Sequence, residues 1–404
     1  MHRRDLLKAA AAFAPLVIAG RAFAAPAAGS GRLLLVFLRG AYDAANIVAP
    51  VGSDFYHHAR PTIGLAKPDP GNPDAALSLD GDWALHPALK DSIYPLWQAK
   101  QIAFVPFAGT DDMSRSHFAT QDTIELGQPI GGTRDYRSGF MARLAGALGS
   151  DKPIAFSDQV PLCFQGGAGA AIPNIALNGN LKSTIDPRQA KLIQAMYKGD
   201  PAGDERLANA VSQGFATRET VFKSLADEMT KASRGAVTPK GFELSARRIG
   251  RLMRDHYNLA FVDVGGWDTH VNQGGAQGYL AGRIGELGRG LVGFTEEIGP
   301  DAWRDTTVVV VSEFGRTFRE NGDKGTDHGH GSVYWVLGGG VNGGRITGPQ
   351  VRIAAETLNQ QRDLPVLTDY RGLIGGIVAR QFGLRAERLS SVFPSTKPIA
   401  LDLV

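Results

Sequence analysis

The sequence holds a single cysteine, Cys163, among 404 residues, so no disulfide can form within the chain. No activating motif surrounds that thiol, and it reads as a small buried hydrophobe. Long apolar runs are also lacking: the stretch from Ala9 to Gly20 is shorter than the ~20 residues a membrane span needs. No cluster of lysine and arginine is interleaved with aromatic residues, and nucleic-acid binding finds no support. Internal repeats and clean linkers are missing too. What is present is an ordinary globular composition, 43% hydrophobic and 21% charged, at a length that supports a large core. Glycine is plentiful, 51 residues against 22 prolines, which suits tight turns and loops that approach a ligand.

Residues 1–24 read as an export signal. A basic start, His2-Arg3-Arg4-Asp5-Leu6-Leu7-Lys8, is followed by the Ala-rich apolar stretch and by Ala22-Phe23-Ala24 as a small-x-small cleavage site. Paired Arg3 and Arg4 resemble the twin-arginine signal of proteins exported already folded. The expected location is therefore periplasmic or secreted, with no stable membrane span after signal removal. Cleavage removes Arg3, Arg4, Lys8 and Arg21 together with Asp5, so the formal net charge of +3 disappears from the mature chain.

Arg32 to Leu38 is a continuous apolar run, the pattern of a strand buried on both faces of a parallel sheet. Similar runs recur at Ile102 to Phe107, Leu259 to Val264, Thr306 to Val311 and Val333 to Leu337. Between them lie helical patterns: Leu244, Ile249, Leu252, Met253 and His256 share one face, and Tyr279 to Ile298 reads as a long helix. This alternation predicts a doubly wound α/β sandwich, a single domain over 25–404 with an inserted helical segment near 203–257. Pro61 to Asp82 and Gln165 to Gly179 read as surface excursions that could form caps or lids. The Asn342-Gly343 pair predicts a tight hairpin.

The polar residues collect where the strands end, which is where open α/β sheets bind ligands. The first strand runs into Arg39 to Asn46, the second into Asp111 to His117, the third into Gly265 to His270, and the fourth into Ser312 to Thr317 and then Thr326 to Gly331. Asp268, His270, Asp327, His328 and His330 are hard-to-borderline metal ligands, and the alternation in His328-Gly-His330 lets two imidazoles reach the same side of an extended loop. Such a mixed set suits zinc or manganese; the alternative is that these side chains cap helices and pin loops. Glu313 could be a further ligand, a partner orienting a ligating histidine, or a helix N-terminal acid. Arg39 and Arg316 could hold a phosphate, sulfate or carboxylate, or pair with Asp43 or Glu313. Ser116 stands where a helix begins, as an N-cap or as a nucleophile activated by His117 or by the metal. His57, His58, His86 and His256 have no partners at ligand spacing.

At these motifs the chain resembles the domain-of-unknown-function 1501 family, DUF1501, exported bacterial proteins of the alkaline-phosphatase-like and sulfatase-like superfamily. The stretches that carry the resemblance are Leu38-Arg-Gly-Ala-Tyr-Asp43, Ser114-Arg-Ser-His-Phe118, Gly265-Gly-Trp-Asp-Thr-His270, Ser312-Glu-Phe-Gly-Arg-Thr317 and Gly325-Thr-Asp-His-Gly-His-Gly331. The resemblance implies an alkaline-phosphatase-like three-layer sandwich with a one- or two-metal site, and it adds Asp43, after the first strand, to the metal ligands. It departs at Glu313-Phe314, where that superfamily usually has an Asp-His pair. Here the pair comes later, at Asp327-His328.

The function expected from these residues is metal-dependent hydrolysis of a phosphate or sulfate ester, with Ser116 or a water attacking, His117 moving protons and Arg39 or Arg316 steadying the anion. The substrate would be an anionic ester, small or polymer-borne. The alternative is a non-catalytic exported metal-binding or assembly protein that keeps the fold, and Glu313-Phe314 favours it.

Overall fold

The structure, a computed structural model, describes residues 31–149, 152–157, 160–166, 187–198, 208–209, 211–213 and 241–404. The expected export signal at 1–24 and most of the excursion from Gln165 to Gly179 lie outside the described residues.

Eleven strands are formed by the described residues. They are β1 (Arg32–Leu38), β2 (Val48–Ala49), β3 (Leu77–Ser78), β4 (Ala84–Leu85), β5 (Ile102–Gly109), β6 (Pro153–Phe156), β7 (Leu259–Val264), β8 (Thr306–Ser312), β9 (Ser332–Leu337), β10 (Arg345–Ile346) and β11 (Thr368–Asp369). The main sheet has the order β10-β5-β9-β8-β1-β7-β6, with β11 also on β5, and β2-β4-β3 form a small antiparallel sheet. In the main sheet only β9 is reversed, antiparallel to both β5 and β8. All the apolar runs picked out in the sequence are strands, as β1, β5, β7, β8 and β9. The edge strand β6 is an addition, too short and too proline-led to stand out.

Strand β1 shows why such runs mark buried strands. Leu34, Val36 and Leu38 enter one core, while Leu33, Leu35 and Phe37 enter the other, because successive side chains point to opposite faces. The first core is closed by the helices Phe242–Asp255 and Tyr279–Arg304, and the second by Phe140–Leu148, Tyr370–Phe382 and Ala386–Val392. The molecule is thus a mixed α/β protein with a mainly parallel sheet between two helical layers. The long helix keeps helical geometry up to Ile298 and breaks at Gly299, φ +78°, ahead of Pro300. Of the helical segment expected near 203–257, residues 203–207, 210 and 214–240 lie outside the described residues, and Phe242–Asp255 packs directly on the sheet through Ile249, Leu252 and Met253.

One expectation is corrected. Asn342-Gly343 does not turn a hairpin, because β9 and β10 lie on opposite sides of β5. The connection instead crosses the end of β5, where the Gly343 amide donates to the Lys100 carbonyl at 3.1 Å and the Gly344 amide to Ile102 at 2.7 Å. A Cβ on Gly343 would lie 2.4 Å from the Ile102 carbonyl oxygen. Close backbone approach, not turn type, is the reason for that glycine.

Candidate metal centre

The carboxyl ends of β1, β5, β7 and β8 share one rim of the sheet, and the reversed β9 begins there. His117 opens the helix His117–Leu126 after β5, Asp268 and His270 follow β7, and His328 precedes β9. His117 Nε2 lies 2.9 Å from His328 Nε2, which lies 3.2 Å from His270 Nε2. Asp268 Oδ1 is 2.9 Å from His270 Nε2 and 3.5 Å from His328 Nε2, and its Oδ2 is 3.6 Å from His117 Nε2. His117, Asp268 and His328 each offer one ligand atom, all within 4.8 Å of one another. His270 adjoins this group.

The other ring nitrogens explain the orientation. His117 Nδ1 donates to Glu313 Oε1 at 2.8 Å, His270 Nδ1 to Asp327 Oδ1 at 3.2 Å, and His328 Nδ1 to the Arg115 carbonyl at 3.0 Å. Those oxygens can only accept, so in the neutral rings each Nδ1 carries the proton and each Nε2 turns a lone pair inward. Lone pairs held this close repel one another, and a cation among them relieves the repulsion. Metal-ligating histidines are oriented in this way by carboxylates and backbone carbonyls.

Glu313 is the most enclosed of these anchors, with no exposed surface. Its Oε1 accepts from His117, from the Gly40 amide at 2.9 Å and from Gln121 Nε2 at 2.8 Å, and its Oε2 lies 2.9 Å from the Ser312 hydroxyl. Burial alone would push this carboxyl up, but the bonds from His117, Gln121 and the Gly40 amide outweigh it and hold the group below the ordinary glutamate range. Gly40 has φ +115°, and a Cβ there would lie 2.8 Å from the Asp268 amide nitrogen, so glycine is required where β1 passes under the Asp268 loop. Asp268 is likewise lowered: burial opposes, and the Arg316 guanidinium prevails. Asp327 is lowered by bonds from Asn321 and His270 against its burial. His328 is held below the usual histidine range by burial and by the neighbouring His117, a shift toward the neutral ring that metal ligation requires.

The other residues singled out in the sequence are placed differently. Asp43 is fully buried and bound to Arg60 through two bonds of 2.6 and 2.9 Å, with Gln273 Nε2 a further 2.6 Å from its Oδ2. Its oxygens are committed away from the imidazoles. Arg316 donates to Asp268, to the Gly40 carbonyl at 2.8 Å, to Trp267 at 3.2 Å and to Thr326 at 3.2 Å, tying together the loops that carry the centre. Arg39 pairs with Asp263 at 2.7 Å and Glu125 at 2.8 Å and lines a cavity of about 400 Å³ beyond β6 and β7, together with Arg283 and Glu286. The partners anticipated for both arginines, Asp43 and Glu313, are not the ones they take. His330 is buried beside Asp363, Asp111 and Asp112, apart from His328. Gly329 separates the two as the chain bends against β8's continuation, its amide donating to the Gly315 carbonyl at 2.8 Å, with a Cβ position only 2.4 Å from the Arg316 carbonyl. Ser116 is the N-cap of its helix, its hydroxyl accepting from the Ala119 amide at 3.5 Å.

Three contributors were not singled out from the sequence. Arg60, 17 positions on, neutralises Asp43, and Gln273 donates to it from a distant segment; neither carries a local signature. Arg115, whose carbonyl anchors His328, lies inside the Ser114-Arg-Ser-His motif, but a backbone acceptor leaves no trace in residue type.

Comparison with known proteins gives one clear relationship. No curated protein matches the sequence. Among solved structures, the crystal structure of Ps i-CgsB in complex with k-i-k-neocarrahexaose is similar over 89% of this chain and 73% of that one, at 10% identity and a TM-score of 0.34. The family model described as "Protein of unknown function (DUF1501)" matches residues 30–393, a stretch that takes in all eleven strands and every residue of the imidazole cluster: the chain belongs to the DUF1501 family.

Proposed function

We propose that the protein is an exported metal-dependent hydrolase of a phosphate or sulfate ester, its divalent cation held by His117, Asp268 and His328 with His270 beside them. The observation that carries the reading is the inward turn of three Nε2 lone pairs, each fixed by an oxygen acceptor on the far side of its ring. A bound zinc or manganese ion supplies Lewis-acid polarisation of the ester and acidification of a water. The chain's own part is to turn the Nε2 atoms of the imidazoles inward, to place Asp268 among them, and to keep Glu313 ionised behind His117. Ser116 Oγ accepts from the Ala119 amide at 3.5 Å and keeps its proton and a second lone pair, so either a water or the Ser116 hydroxyl would be the nucleophile. The alkaline-phosphatase-like sandwich is the corresponding reading of the fold, supported by the mainly parallel sheet, the helices on both faces and the cluster at the strand ends. Arg3-Arg4 and the residues after it support export through the twin-arginine route.

A second reading, a non-catalytic exported metal-binding protein, is favoured by the arginines. Arg39 and Arg316 are both occupied by protein carboxylates, which leaves neither of the expected guanidiniums open to an anion. Elemental analysis of the purified mature protein, with a panel of aryl phosphate and sulfate esters, separates the two. Metal with turnover that His328→Ala abolishes supports the hydrolase, metal without turnover on any ester supports the binding protein, and a metal-free, inert protein that zinc and manganese fail to load removes both.

A further inference from the structure

Two of the three imidazoles are anchored by carboxylates, but His328 is anchored by a backbone carbonyl, and the residue that provides it is unusual. Arg115 has φ +51°, the left-handed region that non-glycine residues occupy only when their surroundings enforce it. Its own side chain makes contacts that can hold it there. Arg115 Nε and Nη2 donate to Asp363 Oδ2 at 3.1 and 2.7 Å, and Nη2 donates to Gln360 Oε1 at 2.7 Å. Asp363 has no exposed surface, and its turn is closed by Asn359, the Asn359 amide donating to the Asp363 carbonyl at 2.8 Å. The same turn grips the loop leading to His328, since the Phe318 amide donates to the Arg362 carbonyl at 2.9 Å and Thr317 bridges to Asp363.

We propose that Arg115 is a positioning residue for the metal centre: its ion pair with Asp363 holds the left-handed backbone that aims its carbonyl at His328 Nδ1, and so fixes which nitrogen His328 presents to the cation. The proposal rests on the reading of the cluster as a metal centre. A carbonyl cannot be removed by substitution, so the side chain acts only through the backbone conformation it enforces. Glycine adopts that conformation without help, whereas alanine does not.

The test is zinc and cobalt(II) titration of the mature wild-type protein and of Arg115→Ala, Arg115→Gly and Arg115→Lys, with the cobalt absorption band and the thermal midpoint recorded for each. Loss of an outer partner of a ligating histidine typically weakens metal binding 10–100-fold. Arg115→Ala is expected to weaken zinc about tenfold and to shift the cobalt band. Arg115→Gly is expected to recover most of the affinity despite lacking the ion pair, and Arg115→Lys to fall between. An Ala variant with wild-type affinity and spectrum overturns the proposal, and so does a Gly variant as weak as Ala. Should the Ala variant fail to fold, Asp363→Asn removes the charge of the ion pair at nearly constant shape, and unchanged zinc affinity and cobalt spectrum there have the same force. Failure of the wild type to bind either metal is a separate outcome, which overturns the metal-centre reading itself.

Discussion

Glu313→Gln isolates one charge at the centre of the site. The carboxylate accepts from His117, Gln121 and the Gly40 amide through a single oxygen. A glutamine can keep its carbonyl at that position and turn its NH₂ toward the Ser312 hydroxyl, which donates to the Leu38 carbonyl at 2.6 Å and is free to accept. The shape is thereby preserved and the charge lost. Hydrogen bonds to charged groups are worth about 1.5–3 kcal/mol against about 0.5–1.5 kcal/mol for neutral ones, so the bond to His117 should lose about 1–1.5 kcal/mol. If His117 ligates, that loss passes into metal affinity as about a tenfold weakening, at the lower end of the range for outer-shell partners. Competition between the protein and a chromogenic zinc chelator measures it. Glu313→Ala is the contrast, since it leaves the half-buried Gly40 amide, Gln121 and His117 without their acceptor and should cost about 3 kcal/mol of folding stability in urea melts. A Glu313→Gln protein that folds normally and holds zinc as tightly as the wild type refutes the reasoning, because either His117 does not ligate or Glu313 does not orient it.

Asp43→Ala leaves the buried Arg60 guanidinium without its counter-charge and should destabilise the fold by about 3–5 kcal/mol, while the metal content of the surviving folded protein, by elemental analysis, stays at the wild-type level. A specific loss of metal would return Asp43 to the ligand set. Ser116→Ala removes an N-cap and should cost about 1 kcal/mol; ester turnover within a few-fold of wild type makes a water the nucleophile, and complete loss of turnover in a stable variant makes it Ser116. The metal-free protein should also lose stability on mild acidification. His328 and His330 are both held below the usual histidine range, so the unfolded chain takes up their protons first. Their contribution is fully present above about pH 6.5 and is lost as the pH falls through their folded values. Glu313 is lowered, so its contribution, present above its unfolded value near pH 4.3, is lost at still lower pH. Urea midpoints that stay flat between pH 8 and pH 5 contradict the histidine part.

The sheet was legible because burial on both faces writes itself into consecutive apolar residues, as in β1 and β7, and because Gly299-Pro300 marks the end of a helix by backbone chemistry alone. Strand β6 was not, since four residues opening on Pro153 carry no periodicity. At the site, Asp268, His270 and His328 were recognisable by residue type and by their place after strands, and Glu313 by its place after β8. The expected pairing of His328 with His330 on one side of an extended loop depended on straight chain, whereas the chain bends at His330. The fate of Asp43 was invisible for a different reason. Its partner Arg60, 17 positions on, is itself fixed by the Phe318 carbonyl at 2.8 Å and the Thr317 carbonyl at 3.0 Å, and Gln273 reaches Asp43 across 230 positions, so the pairing is set by contacts that have no expression in local pattern.

The reversal of β9 has a consequence for how such a centre can diversify. The chain leaves β8 at the rim that carries the imidazoles and re-enters the sheet through β9 from that same rim, so residues 313–331 never cross to the far side. A parallel successor would have required a crossover and a second helical passage. The excursion therefore behaves as a cassette bounded by two paired strands. Its middle, Asn321 to Lys324, lies off the ladder but is tied to the His270 loop, Asn321 Nδ2 donating to the His270 carbonyl at 3.0 Å and the Asn272 amide to the Asp323 carbonyl at 2.8 Å, so a replacement there reaches the imidazoles without touching the sheet.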